Sequence, residues 1–178
     1  MNIIVGVTGG IACFKAVEVV TSLVEKGHCV HVIMTKNAQE FVTALTFQTL
    51  SRNLVTTDMF EKAASWDVRH ISLAQQADVF AVVPATANVI GKIASGIADD
   101  MLTTTIMASR CRKVIAPAMN TAMWENPIVQ DNMKKLASYG YEILDTDSGI
   151  LACGAVGKGK LLGWEKIVQA ILRAPERA

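Results

Sequence analysis

The chain lacks any block of like charge: 17 Lys and Arg stand against 16 Asp and Glu over 178 residues, a net charge of +1. With no basic stripe to displace counterions, neither nucleic acid nor an anionic membrane is expected as the main partner. It also lacks an apolar run of transmembrane length, because charged or polar residues interrupt each one. The start, Met1 to Val5, has neither the basic region nor the cleavage site of a signal peptide, so a cytoplasmic protein is expected. The four cysteines, Cys13, Cys29, Cys111 and Cys153, form no C-x-x-C pair and have no histidine at ligand spacing. Reduced thiols and no metal site are expected. Neither G-x-G-x-x-G nor Gly-Lys-Ser/Thr occurs, which weakens dinucleotide and P-loop readings.

What is present is apolar. Hydrophobic residues make up 51% of the chain and charged residues 19%. A large core follows, and the surplus fits either burial between subunits or a sheet covered on both faces. The length suits one domain, residues 1–178, burying roughly 70% of its unfolded surface. Ile3 to Val7 reads as a strand, Thr8-Gly9-Gly10 as a break, Ile11 to Lys26 as a helix and Cys29 to Met34 as a second strand. A right-handed parallel crossover follows from that order. Thr8-Gly9-Gly10 is an ordinary glycine turn or a phosphate cradle at a helix N-terminus. After the second strand, where a dinucleotide fold needs an acid, the chain has Thr35-Lys36, a hydroxyl and a cation better suited to phosphate.

Further along, Asn37 to Leu50 reads as two short helices and Ser51 to Val68 as irregular. His70 sits at a loop-to-helix junction, a structural histidine or a general acid or base. His28 and His31 flank or sit in the second strand and read as structural. Val79 to Val83 forms a strand ended by Pro84, and Ala85 to Asn88 opens a helix that Thr86 and Asn88 can cap. Asp99-Asp100 reads as a helix start, not a metal pair. Val114-Ile115-Ala116 is a buried strand that delivers Pro117-Ala118-Met119-Asn120 at its carboxyl end, the edge where open α/β sheets bind ligands. Asn126-Pro127 starts another helix, and Tyr141 to Leu144 reads as the last strand. Asp147 to Gly163, dense in glycine and containing Cys153, reads as a flexible loop of the kind that serves as a lid. Trp164 to Leu172 closes the chain as a helix.

His70 before Ile71-Ser72-Leu73, Asn120 after Pro117-Ala118-Met119, and Cys153 within Leu151-Ala152-Cys153-Gly154 occur together. In that combination the chain resembles the flavin-dependent cysteine decarboxylases, and among them the phosphopantothenoylcysteine decarboxylases, over essentially its whole length. The resemblance implies a Rossmann-like (flavodoxin-like) three-layer fold, with a central parallel sheet and helices on both faces. It implies bound FMN, and a homotrimer or a dodecamer of trimers with sites between neighbouring subunits. It places Gly9, Gly10, Thr35, Thr86, Ala87 and Asn88 at FMN contacts and Ala118 beside the flavin. His70 becomes the active-site histidine, Asn120 the amide for the substrate carboxylate and Cys153 the flap thiol, with Met119, Ala152 and Lys160 on the substrate side.

The implied reaction decarboxylates 4′-phosphopantothenoylcysteine to 4′-phosphopantetheine on the route to coenzyme A. Direct loss of CO₂ would leave an unstabilised carbanion. Oxidation next to sulfur to a thioaldehyde gives an electron sink, and the enethiol that results is then reduced with Cys153 as proton donor. The flap departs from the pattern: relatives carry an acid after Leu-Ala-Cys-Gly and an Arg later, where this chain has Ala155 and Lys160. Lys160 meets a phosphate only as a point charge. The rivals are a peptide cysteine decarboxylase of lantibiotic type, which needs no reductive thiol, and a flavin prenyltransferase, in which neither Pro-Ala-Met-Asn nor the Cys flap is expected. A third is a non-catalytic flavin-binding regulatory subunit, which would depart at His, Asn or Cys.

Overall fold

The computed structural model describes residues 1–60, 68–150, 154 and 156–173. A five-stranded sheet runs in the order β2-β1-β3-β4-β5, from strands β1 (Asn2–Val7), β2 (Cys29–Met34), β3 (Val79–Ala85), β4 (Arg112–Pro117) and β5 (Tyr141–Ile143). Every pairing in it is parallel. This is the flavodoxin-like order, whose direction reverses between β1 and β3 and opens a crevice beyond their carboxyl ends. The three-layer α/β expectation holds.

The sheet is covered on both faces, which explains its unbroken apolar strands: all seven residues of β3 are buried. One face packs helices α1 (Ala16–Glu25), α2 (Ala44–Ser51) and α8 (Trp164–Leu172), through Val19, Leu23, Phe47, Ile167 and Ile171. On the other face lie α3 (Arg69–Gln76), α4 (Ala87–Ala94), α5 (Met101–Ala108) and α7 (Pro127–Ser138), with Phe80, Ile90, Leu102, Ile106 and Leu136 between them and the sheet. Each of these fully buried side chains contributes about 1.5–3 kcal/mol of transfer free energy. The Arg112 guanidinium donates to the carbonyls of Ala170 and Arg173, tying the end of α8 to β4.

Four expectations change. The helix read from Ile11 begins as a 3-10 turn, Ile11–Lys15, and becomes α-helical only at Ala16. Gly10 offers no capping side chain, so the first turn tightens, with Cys13 N–H donating to Gly10 O at 2.9 Å. Strand β3 continues through Pro84 to Ala85, with a register shift after Val82 that accommodates a residue without an N–H. A short helix α6 (Thr121–Glu125) follows Asn120. The segment read as a structureless loop folds instead as an antiparallel hairpin, β6 (Asp147–Ile150) with β7 (Val156–Lys160). Strand β5 is therefore the last of the main sheet and not the last of the chain.

Candidate functional site

Beyond the carboxyl ends of β1 and β3 lies a cleft of about 740 Å³, within the roughly 300–1,000 Å³ that small-molecule and cofactor sites occupy. Its lining includes Gly9, Gly10, Thr35, Thr86, Ala87, Asn88, Ala118, Met119, Asn120 and Lys160. These ten positions come from five separate stretches of sequence, and the switch in strand order brings them to one place. Two predicted residues, Ala152 and Cys153, lie outside the described residues, as does Ala155. His70 is in the first turn of α3 and does not line the cleft of its own chain.

The floor is built from backbone and hydroxyls. A Cβ at Gly9 would lie 2.3 Å from Asn37 Cβ and 2.7 Å from its carbonyl carbon, so only glycine lets the turn after β1 approach the turn after β2 this closely. Thr8 is fully buried; its hydroxyl donates to Pro84 O at 2.6 Å and accepts from Thr86 N–H at 3.1 Å, locking the ends of β1 and β3 together. Thr35 Oγ1 accepts from Ala38 N–H and Thr86 Oγ1 from Val89 N–H, each capping the turn that follows. A hydroxyl that accepts a cap bond keeps its hydrogen for an anion. Asn88 lies in the first turn of α4 while Thr86 is its N-cap, so capping falls to Thr86 alone.

The walls carry charge. Lys15, Lys36, Lys92 and Lys160 face the cleft against one carboxylate, Asp100. Lys92 is engaged: its ammonium lies 2.7 Å from Asp99 and 3.1 Å from Asp100, and the bond to Asp99 with the Asp100 charge beside it holds its pKa above the ordinary lysine value. Among the described residues Lys15, Lys36 and Lys160 make no ion pair. The cleft therefore has cationic capacity for anionic ligands. Lys15 and Lys92 escaped the sequence reading because a helical lysine has no local signature of facing a ligand. Asp100 was read only as a helix-start acid, and it is one: it accepts from Thr103 N–H at 2.8 Å in a reciprocal capping box.

Asn120 also lines the cleft. Its Oδ1 accepts from Ala122 N–H at 2.8 Å and caps α6. The loop before it is fixed by Ala118 N–H donating to Ala85 O and Met119 N–H donating to Gly159 O, at 3.0 and 2.9 Å. Ile11, Phe14, Met123 and Ile150 form an apolar rim, each 47% exposed or more. The residues fit a flavin mononucleotide: a glycine turn, a helix N-terminus and two hydroxyls suit its phosphate, and the apolar rim suits its ring. Among the described residues no group of three or more metal-ligating side chains occurs, and no helix is long and apolar enough to cross a membrane.

Comparison with known proteins agrees with this geometry. A probable phosphopantothenoylcysteine decarboxylase of Streptococcus mutans is 40% identical over 172 residues, covering 96% of this chain and 96% of that protein. The coenzyme A biosynthesis bifunctional protein CoaBC of Borreliella burgdorferi is 46% identical over 171 residues. The match takes in 96% of this chain but 44% of the bifunctional protein, so the chain spans less than half of that relative. The crystal structure of the FMN-dependent cysteine decarboxylase SpaF superposes with a TM-score of 0.82 at 30% identity, covering 97% of this chain and 95% of that one. The sequence pattern of the Flavoprotein family matches residues 1–175, and the chain belongs to that family.

Proposed function

We propose that the protein is a carboxy-lyase that uses FMN to convert 4′-phosphopantothenoylcysteine to 4′-phosphopantetheine in coenzyme A biosynthesis, and that residues 1–178 form one decarboxylase domain. The observation that carries this reading is the cleft at the β1/β3 switch point, whose lining gathers the Gly9-Gly10 turn and the Thr35 and Thr86 hydroxyls with Asn120 and Lys160. The similarity to the S. mutans relative, along nearly the whole of both chains, supports the substrate.

Bound FMN supplies the two-electron sink without which loss of CO₂ would leave an unstabilised carbanion. The chain's residues bind and orient. Gly9 and Gly10, the N-terminus of α4 and the Thr35 and Thr86 hydroxyls hold the cofactor phosphate. Ala87, Asn88 and Ala118 line the ring and ribityl path. The Asn120 carboxamide receives the substrate carboxylate beside Met119, and Lys160 faces the substrate phosphate with Ala152 nearby in sequence to the flap thiol. His70 moves the proton at the substrate sulfur, and Cys153 donates a proton when the enethiol is reduced. Because His70 does not line the cleft of its own chain, the complete site lies between neighbouring copies in a homotrimer or a dodecamer of trimers. The exposed apolar rim of Ile11, Phe14, Met123 and Ile150 supports a second copy there. Cytoplasmic work follows from this metabolic role.

The cofactor half is tested by denaturing the purified protein and weighing the released flavin. One FMN per chain is expected; FAD, or no flavin after incubation with FMN, contradicts the reading.

A further inference from the structure

The hairpin β6–β7 and the loop that carries Asn120 are fastened to each other by a joint made for close approach. Met119 N–H donates to Gly159 O at 2.9 Å, and Thr121 Oγ1 donates to Lys158 O at 2.9 Å. A Cβ at Gly159 would lie 2.4 Å from Met119 O, and one at Gly157 would lie 2.6 Å from Thr121 Oγ1. Gly159 holds φ at +108°, a conformation that other residues rarely adopt. On its far side the loop is tied to the central sheet through Ala118 N–H and Ala85 O. A two-stranded hairpin has little stability of its own, so what it docks on decides where it stands.

Within that joint the Thr121 bond is made by a side chain, whereas the Met119 bond runs main chain to main chain. The hydroxyl does not serve its own helix either, since Asn120 caps α6. It reaches 37 residues along the chain to the strand that ends in Lys160. We propose that Thr121 is a positioning residue. Its hydroxyl locks β7 to the Asn120 loop and so sets the separation at which Asn120 and Lys160 address one substrate between them. This rests on the reading of Asn120 and Lys160 as substrate-facing, but the joint itself does not.

Thr121→Val removes the hydroxyl at nearly constant volume, and Thr121→Ser restores it. In the full chain, amide hydrogen exchange over residues 119–121 and 156–160 rises about tenfold in the Val protein, the worth of one net hydrogen bond. Exchange in β3 is unchanged, and the Ser protein matches wild type. With 4′-phosphopantothenoylcysteine, the Val protein shows KM raised about tenfold and kcat within about twofold, as loss of uniform binding requires. Retained flavin and recovery in the Ser protein complete the pattern. Wild-type exchange and KM in the Val protein overturn the proposal. So does a Ser protein that behaves like Val, because the hydroxyl is then irrelevant. If wild type does not turn this substrate over, the functional reading fails on its own, and the exchange comparison still decides the joint.

Discussion

At Asn120 the carboxamide oxygen is committed to Ala122 N–H, so the helix that follows depends on an acceptor there. Aspartate keeps an acceptor and removes the N–H donors. Asn120→Asp is therefore expected to fold and bind flavin normally while kcat/KM falls at least about 100-fold, a loss in the range of a hydrogen bond to a charged group. Unchanged turnover in that variant would remove Asn120 from carboxylate binding. His31 poses a different test. Half-buried in β2, it has its Nε2 3.6 Å from Cys29 Sγ, and among the described residues its buried Nδ1 has no hydrogen-bond partner. Burial first, and the Arg69 charge second, hold its pKa below the ordinary imidazole value. As pH falls through about 6.5, the unfolded chain takes up a proton that the folded chain resists. Stability from this group is complete above that pH and is lost as pH drops towards the folded value. Urea midpoints at pH 7.5 and 5.5 should differ more in wild type than in His31→Gln. An equal fall in both would show that His31 is not responsible, leaving His28, which burial and the N-terminal charge push the same way.

The elements show where sequence patterns carried and where they stopped. Cys29–Met34 and Trp164–Leu172 appear at the predicted boundaries because apolar periodicity, glycine stops and charge agree there. Helix α6 spans five residues, too short for any period to show. The hairpin was hidden by its glycines, which read as flexibility; Gly157 and Gly159 are needed because β7 approaches Thr121 and Met119 more closely than a Cβ permits. At α5 the capping box predicts a cost. Asp100→Ala loses the bond to Thr103 N–H, its reciprocal partner and one of the Lys92 contacts. About 1 kcal/mol of stability and roughly 2–4 °C in Tm should go with it. A calorimetric Tm equal to wild type would mean the cap contributes nothing net.

Across the whole molecule, the motifs were legible and their meeting was not. Asn120, Thr86 and Gly9 each stood out in sequence, yet only the strand order places them around one cleft. Lys15 and Lys92 joined that cleft without any local signal, because which face of a helix meets a ligand is a tertiary property. His70 shows the converse: its motif was plain in sequence, yet the residue does not line the cleft of its own chain. The measurement that reaches the central claim most directly is the mass of the product formed when the flavin-loaded protein is incubated with 4′-phosphopantothenoylcysteine. Loss of CO₂ without net oxidation is the expected result, the signature of an enzyme that oxidises, decarboxylates and then reduces. Loss of CO₂ together with two hydrogens would contradict the reductive role given to Cys153, and an unchanged substrate would contradict the decarboxylase reading itself.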